Sequence, residues 1–395
     1  MKIGIYGGTF DPIHRGHITA AQAAAQQLGL DLLLLIPTSI PPHKALPEGG
    51  ADAAQRLEMA TLATAELSCP AQVLDMEVRR QGKSYTADTL RTLRQQYPED
   101  ELWLLMGTDM FLSLQDWREP QEILRLARVA AFSRTGDPEQ QRFARQKAYL
   151  EETFGAQVTV VENPHVVDIS STRLRQLLPE GREYLPEAVY GYILRQRLYG
   201  THAELKHLTP EELRPIALSF LKPKRMPHVL GTEQEAIRLA RRYGADETDA
   251  RIAALLHDCT KKLDMEQQLA LCHRYDIRLD ELEQHALKLL HAKTGAAVAR
   301  DIFGVKDAVY EAIRWHTTGK PDMTLLEKVI YLADYIEPNR DFPGVDELRR
   351  AVYDDLDKGL LMGLSDTIDE MERMGNPVHH DTLEARDFLL RGEAK

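Results

Sequence analysis

Eleven consecutive residues near the N-terminus concentrate groups suited to phosphate: Gly7-Gly8-Thr9-Phe10-Asp11-Pro12-Ile13-His14-Arg15-Gly16-His17. Gly7 and Gly8, with Thr9 and Phe10 behind them, let backbone N–H groups approach phosphate oxygens, and a helix starting just beyond adds oriented donors. His14 and His17, three apart across Gly16, can converge there and donate hydrogen bonds to charge developing on a transferring phosphoryl group. Alone, His-x-Gly-His is simply a glycine turn with two surface histidines; following an apolar run and a Gly-Gly turn, it favours phosphate. A second candidate is Ile169-Ser170-Ser171-Thr172-Arg173-Leu174-Arg175. Hydroxyls at a helix start are ordinary N-caps, yet with Arg175 one turn inward Ser171 and Thr172 can also hold a triphosphate. Asp109, in Gly107-Thr108-Asp109, could take a ribose hydroxyl, and Pro41-Pro42-His43-Lys44 offers two cations after an apolar run. Other phosphate signatures fail: Gly82-Lys83-Ser84 ends like a P-loop, but Glu77 stands where its first glycine belongs.

The second half carries a different chemistry. His257-Asp258 follows the apolar stripe Ala250, Ile252, Ala253, Leu255 and Leu256. His228 sits at a helix start, His291 follows Leu289-Leu290, His316 ends Ile313–Trp315, and Asp334 lies within Val329–Ile336. Such groups in apolar stripes are costly unless paired or metal-bound. Four imidazoles and two carboxylates without a thiolate suit Fe²⁺, Mn²⁺ or Zn²⁺, as one ion or a pair, better than Ca²⁺. Two metals could activate water and clamp both sides of a displacement at phosphorus. Lys261, one turn after His257, is placed to reach phosphate. His202, His207, His273, His285, His379 and His380 lie in polar stretches and read as surface residues.

Two kinds of scaffold must position these groups. Lys2–Tyr6, Leu32–Pro37, Gln72–Met76, Leu102–Met106, Val129–Ser133 and Val158–Val161 read as buried strands. Amphipathic stretches lie between them at Gly16–Leu28, Ala54–Leu67, Thr86–Gln96 and Glu119–Leu126. This alternation predicts a parallel sheet with helices on both faces, binding ligands outside the carboxyl ends of its strands. After Gly200 helical periodicity takes over, at Pro210–Leu221, Thr232–Tyr243, Glu247–Leu263, Met265–Tyr275, Lys306–Trp315, Leu325–Ile336 and Gly344–Met374. An all-helical bundle gathers distant side chains in its core. The joint falls near 200–206. Histidine usage changes there too, from four before it to ten after it, so the halves are expected to do different chemistry.

Composition sets the outer limits. At 395 residues, 43% hydrophobic and 28% charged, the chain has room for two domains. Its net charge of −12 argues against nucleic acid or an anionic membrane as partner, though not against small phosphate ligands. Three cysteines without a Cys-x-x-Cys pattern point to a reducing cytoplasm. The N-terminus has no signal-peptide pattern, and Leu28–Pro37, the longest strongly apolar run, is too short for a membrane span. An oligomer is compatible with all of this.

Residues 1–200 resemble the bacterial nicotinate-nucleotide adenylyltransferases, on GGTFDPIHRGH, PPHK at 41–44, SYTADTL at 84–90, GTD at 107–109 and ISSTRLR at 169–175. The resemblance implies a Rossmann-like nucleotidyltransferase domain that moves AMP from ATP, carrying Mg²⁺, to nicotinate mononucleotide, yielding deamido-NAD and pyrophosphate. It implies His14 and His17 on the ATP phosphates, Lys44 in the phosphate shell, and Ser171, Thr172 and Arg175 on the triphosphate. Gly7, Gly8, Thr9 and Phe10 would line the nucleotide site, Asp109 would lie near ribose, and Tyr85, Thr86 and Trp117 would form the nicotinate pocket.

Residues 206–390 resemble the HD-domain phosphohydrolases, in particular those that cleave diadenosine tetraphosphate symmetrically to two ADP. The motifs are LLHDCTK at 255–261, LLHAKTGA at 289–296, AIRWHTTG at 312–319 and LEKVIYLADYIEPNR at 326–340. The resemblance implies an all-α HD domain over 206–395, with His228, His257, Asp258, His291, His316 and Asp334 as ligands, most simply of two irons. It makes Lys261, Thr317 and Arg340 phosphate contacts. Val229 departs from the pattern, since relatives commonly carry a hydroxyl there. Two other readings of this half stay open: hydrolysis of a different nucleotide, and a non-catalytic nucleotide sensor regulating the first half.

Overall fold

The computed structural model describes residues 1–40, 49–80, 82–133, 137–163 and 165–393. The chain forms two compact units, Met1–His202 and Ala203–Lys395.

In the first unit the apolar runs form six strands: β1 (Lys2–Gly8), β2 (Leu32–Pro37), β3 (Ala71–Val73), β4 (Glu101–Met106), β5 (Arg128–Ser133) and β6 (Val158–Glu162). All pair in parallel, in the order β3-β2-β1-β4-β5-β6. Both faces are covered, which is why these strands are continuously apolar rather than alternating. Ile3 and Ile5 of β1, Leu34 and Ile36 of β2 and Leu104 of β4 share one core with Leu90 and Leu93 of helix Thr86–Gln96. Chain progression reverses between β1 and β4. At such a switch point the crossover helices leave to opposite sides and open a crevice beyond the strand ends. Gly7-Gly8 ends β1 and Gly107-Thr108-Asp109 follows β4, so the first unit's predicted phosphate and ribose groups meet at this crevice.

The second unit is all-helical among the described residues. Its core helices are Met226–Tyr243, Glu247–Leu256, Leu287–Phe303, Asp307–Trp315 and Leu325–Ile336. Four departures of the structure from the sequence reading have an identifiable local cause. Helix Glu247–Leu256 ends before His257, and residues 257–262 follow as turns rather than as helix to Leu263. The expected helix Gly344–Met374 is two, Val345–Asp354 and Leu356–Arg373, because the Asp355 side chain accepts from the amides of Asp357 and Lys358 and starts a new helix. Leu287–Phe303 shows no clear stripe in sequence because it is buried on most sides through His291, Thr294, Gly295 and alanines. Asp137–Phe154 carries too few apolar residues for a stripe; Phe143 and Leu150 are its fully buried anchors. No described helix is long and apolar enough to cross a membrane.

Candidate active sites

At the crevice of the first unit, His14 caps helix Arg15–Leu28 and His17 lies in its first turn. Their rings are 3.8 Å apart, centroid to centroid. A side chain at position 16 would meet the His14 ring at 3.0 Å and the Val167 carbonyl at 3.1 Å, so glycine is what lets the ring fold back there. The His14 amide donates to Nδ1 of His17 at 3.2 Å, which puts the His17 proton on Nε2. Burial lowers the His14 pKa to about 4 and, helped by its neighbour, holds His17 well below its ordinary value. Both are neutral N–H donors at pH 7.

A cavity of about 530 Å³ opens beside this loop. Of the predicted residues, Gly7, Gly8 and Thr9 line it from the end of β1, and Tyr85, Thr86, Asp109 and Trp117 from the opposite side. Phe10 is buried and packs edge-on against His17 at 5.2 Å. Ser171 and Arg175 tie the second phosphate element to the first: Ser171 Oγ donates to the Pro12 carbonyl at 2.9 Å and Arg175 to that of Asp11 at 2.6 Å. Arg175 also reaches Thr172 Oγ1 at 3.4 Å. Lys44, with Pro41, Pro42 and His43, lies outside the described residues.

Four residues that sequence reasoning passed over hold this site. Arg56, fully buried, donates to the carbonyls of Thr9 at 2.8 Å, Thr38 at 2.5 Å and Ser39 at 3.1 Å, bracing the loops after β1 and β2. Buried Asp11 accepts from Tyr199 Oη at 2.6 Å and the Ala51 amide at 3.0 Å. Glu77, read earlier only as a misfit to a P-loop, lines the cavity, accepts from Thr89 Oγ1 at 2.7 Å, and has its pKa raised by burial. No local pattern marks Arg56 or Tyr199, because their partners lie far off along the chain.

In the second unit five helices bring the six predicted ligands together. His228 is in the first turn of Met226–Tyr243, His257 and Asp258 follow Glu247–Leu256, and His291 is within Leu287–Phe303. His316 caps Asp307–Trp315, and Asp334 is within Leu325–Ile336. All but Asp334 are buried. His228 Nε2 lies 2.9 Å from Asp334 Oδ1 and 3.3 Å from His257 Nε2. Asp258 spans the cluster, with Oδ2 3.5 Å from His257 Nε2 and Oδ1 3.2 Å from His291 Nε2, and His291 Nε2 is 3.1 Å from His316 Nε2.

The hydrogen bonds on the far side of the rings show what this cluster needs. His257 Nδ1 faces the Ala254 carbonyl at 2.6 Å and His316 Nδ1 that of Ile313 at 2.6 Å. A carbonyl only accepts, so these nitrogens carry the protons, and in the neutral ring each Nε2 is left with its lone pair. His228 Nδ1 faces a carboxylate oxygen of Glu337 at 3.1 Å, with the same consequence. Lone pairs of His228 and His257 therefore converge with carboxylate oxygens on one point, and Asp258 Oδ1 is buried without a hydrogen-bond donor. Acceptors crowded in this way call for cationic charge among them, and a set of nitrogen and oxygen donors fits a borderline divalent metal. Val229 is fully buried, and the nearby hydroxyl is instead that of Thr232, 3.5 Å from His228 Nε2.

Cations surround the cluster. Lys261 Nζ is 2.9 Å from His291 Nε2, and burial pushes its pKa down. Arg340 donates to Asp334 Oδ1 at 2.9 Å, and Thr317 Oγ1 lies 3.3 Å from His316 Nε2. Arg225, missed in sequence although only three residues before His228, pairs closely with Asp258. His379, expected at the surface, is buried instead: its Nδ1 accepts the Asp381 amide at 3.2 Å and its Nε2 faces Asp280 at 3.2 Å and Glu283 at 3.4 Å. With Nδ1 as acceptor the proton sits on Nε2, so His379 works as a helix cap in an ion-pair cluster.

The comparisons with known proteins follow the same division. Residues 5–177 match the cytidylyltransferase-like family and residues 225–339 the HD domain. A probable nicotinate-nucleotide adenylyltransferase of Gloeobacter violaceus is 42% identical over 209 residues, covering 51% of this chain and 98% of that protein. A symmetrical bis(5′-nucleosyl)-tetraphosphatase of Halalkalibacterium halodurans is 41% identical over 179 residues, covering 44% of this chain and 95% of that protein. The chain belongs to both families, cytidylyltransferase-like first and HD-domain second. Among solved structures, a predicted HD superfamily hydrolase involved in NAD metabolism from Clostridium acetobutylicum is 42% identical. It covers 47% of this chain and 98% of that one, with a TM-score of 0.46. The cytidylyltransferase-like half thus holds the glycine loop and cavity, and the HD half the imidazole–carboxylate cluster.

Proposed function

We propose that this chain is a bifunctional nucleotide enzyme. Its first half, 1–200, transfers AMP from Mg·ATP to nicotinate mononucleotide, and its second, 206–395, hydrolyses diadenosine tetraphosphate to two ADP. What carries the first assignment is the meeting of Gly7-Gly8 with Tyr85, Thr86, Asp109 and Trp117 around one cavity at the β1/β4 switch point. What carries the second is the convergence of unprotonated imidazole nitrogens and carboxylates beneath Arg225, Lys261 and Arg340.

In the first reaction a phosphate oxygen of the mononucleotide attacks the α-phosphorus of ATP, and pyrophosphate leaves. Both reactants supply their own phosphates, so alignment and charge stabilisation are what the protein contributes. His17 donates through Nε2–H to oxygens gaining charge, with His14 beside it. Arg175, Ser171, Thr172 and Lys44 hold the triphosphate, Asp109 takes ribose, and the pyridine ring lies among Tyr85, Thr86 and Trp117.

In the second reaction water attacks a central phosphorus and ADP departs. A divalent metal held by His228, His257, Asp258, His291, His316 and Asp334 would neutralise phosphate charge and lower the pKa of a water. Arg225, Lys261 and Arg340 are placed to bind the polyphosphate oxygens, and Thr317 adds a hydroxyl donor. Three cations beside an acidic cluster favour a polyanion with several phosphates, and the complete set of six candidate ligands argues against a sensor, which has no need of them.

Product analysis tests both halves on the full chain. ATP with nicotinate mononucleotide should yield deamido-NAD and pyrophosphate. Diadenosine tetraphosphate with Fe²⁺ or Mn²⁺ should yield ADP alone, and AMP plus ATP would overturn symmetrical cleavage. Unchanged nucleotide turnover in His257→Ala would favour the sensor.

A further inference from the structure

Glu337 belongs to neither set of predicted site residues, yet it is almost completely buried, directly after helix Leu325–Ile336. Its Oε1 faces His228 Nδ1 at 3.1 Å. Its Oε2 accepts from the Asn339 backbone amide at 2.7 Å and the Asn339 side-chain amide at 2.9 Å. Asn339 Nδ2 also donates to the Pro227 carbonyl at 2.9 Å, joining this loop to the start of the helix that carries His228. Arg349 braces the same loop through the carbonyls of Ile336 at 3.0 Å and Glu337 at 2.9 Å.

The opposing helix is shaped to receive this carboxylate. Gly231 lies on Met226–Tyr243 one turn after His228, and a Cβ there would overlap Glu337 Oε2 and lie 2.8 Å from Asn339 Nδ2. A mid-helix glycine costs about 1 kcal/mol relative to alanine. Here the missing side chain is the space that Glu337 occupies.

We infer that Glu337 is the positioning residue of the metal centre, and that Gly231 is the clearance that allows it. This rests on the reading of the imidazole–carboxylate cluster as a divalent-metal site. By accepting the His228 Nδ1 proton, Glu337 fixes one tautomer and one ring orientation. Nε2 is then left as a lone pair 3.3 Å from His257 Nε2 and 2.9 Å from Asp334 Oδ1, and a carboxylate partner makes that nitrogen a stronger ligand than an amide would. Glu337 touches neither substrate nor reacting atoms. It acts through His228.

The test uses the full chain, stripped with chelator and titrated with Mn²⁺ or Co²⁺ against a chromophoric competitor. Glu337→Gln keeps the size but leaves one acceptor oxygen for His228 Nδ1 and the two Asn339 donors, and it lowers the basicity of the partner. It is expected to weaken metal affinity about 10–100-fold and to shift the visible absorption of bound Co²⁺. Gly231→Ala is expected to weaken affinity in the same direction, since it displaces the carboxylate and leaves every ligand in place. Should Glu337→Gln fail to fold, Gly231→Ala carries the comparison. Wild-type affinity and an unaltered Co²⁺ spectrum in a folded variant would overturn the inference while leaving the metal reading intact. No metal bound by the wild-type chain, or equal binding by His257→Ala, would overturn the metal reading and this inference with it.

Discussion

Replacing Arg56 by methionine isolates the bracing of the phosphate loop from its chemistry. The guanidinium is fully buried and donates to the backbone carbonyls of Thr9, Thr38 and Ser39, leaving the Thr9 side chain and amide free of it. Methionine fills much of the same volume but donates nothing, leaving these carbonyls without their guanidinium donors at about 1–3 kcal/mol each. Water entering the slot recovers part of this, so the expected loss is about 3–5 kcal/mol, in the range found when a buried charge network is broken. A domain stable by about 5–15 kcal/mol survives that loss at low temperature. Intrinsic fluorescence can report the first half alone, because Trp103 and Trp117 lie there and Trp315 is removed by Trp315→Phe. Urea unfolding in that background should show the midpoint of the first transition falling sharply, with KM for ATP raised in the folded variant. A loss below about 1 kcal/mol would refute the bracing role, and so would a full loss accompanied by unaltered KM for ATP.

Acid should destabilise the first half through its buried imidazoles. His14 titrates near 4 when folded but near its ordinary value of 6.5 when unfolded, so its stabilising effect is complete above pH 6.5 and is lost as pH falls toward 4. Its share amounts to about 2 kcal/mol at pH 5, measurable as a lower urea midpoint at pH 5 than at pH 7 that His14→Gln reduces and that disappears only when His17, also held low by burial, is replaced as well. Substituting His17 by alanine should reduce kcat for deamido-NAD formation about 10²–10³-fold with little change in KM for the mononucleotide, read by pyrophosphate release. Lys261→Ala should slow diadenosine tetraphosphate hydrolysis while metal content, measured by elemental analysis, stays at the wild-type level. Chelation followed by desalting should abolish hydrolysis and lower the unfolding midpoint of the HD half, and re-added Mg²⁺ should restore only adenylyl transfer.

Much of this architecture was legible in sequence because its signals are local. Each strand of the first half announces itself as a short apolar run bounded by turn residues, and all six appear within a few residues of their expected ends. Gly7-Gly8 and Gly107-Thr108-Asp109 each follow a strand directly, so strand assignment alone carries them to the same edge of a parallel sheet. The six residues of the HD cluster were legible one at a time, as polar groups in apolar stripes. His379 was misread because its charged partners Asp280 and Glu283 lie about a hundred residues earlier, where no local pattern can show them. Leu287–Phe303 escaped because helix on most sides of a core has no stripe to find.

Residue types and spacing by themselves set the two proposed chemistries: glycines and histidines for phosphate, imidazoles with aspartates for a metal. They also determined the strand and helix periods that separate the halves. Tertiary structure alone decided the protonation and the support of those groups. The neutrality of His14 follows from burial, which no count of histidines reveals. The bare Nε2 of His257 follows from a carbonyl behind the ring, and that of His228 from Glu337, 109 residues away. A lone pair is aimed by what stands on the far side of its ring, and that partner is chosen by packing in three dimensions.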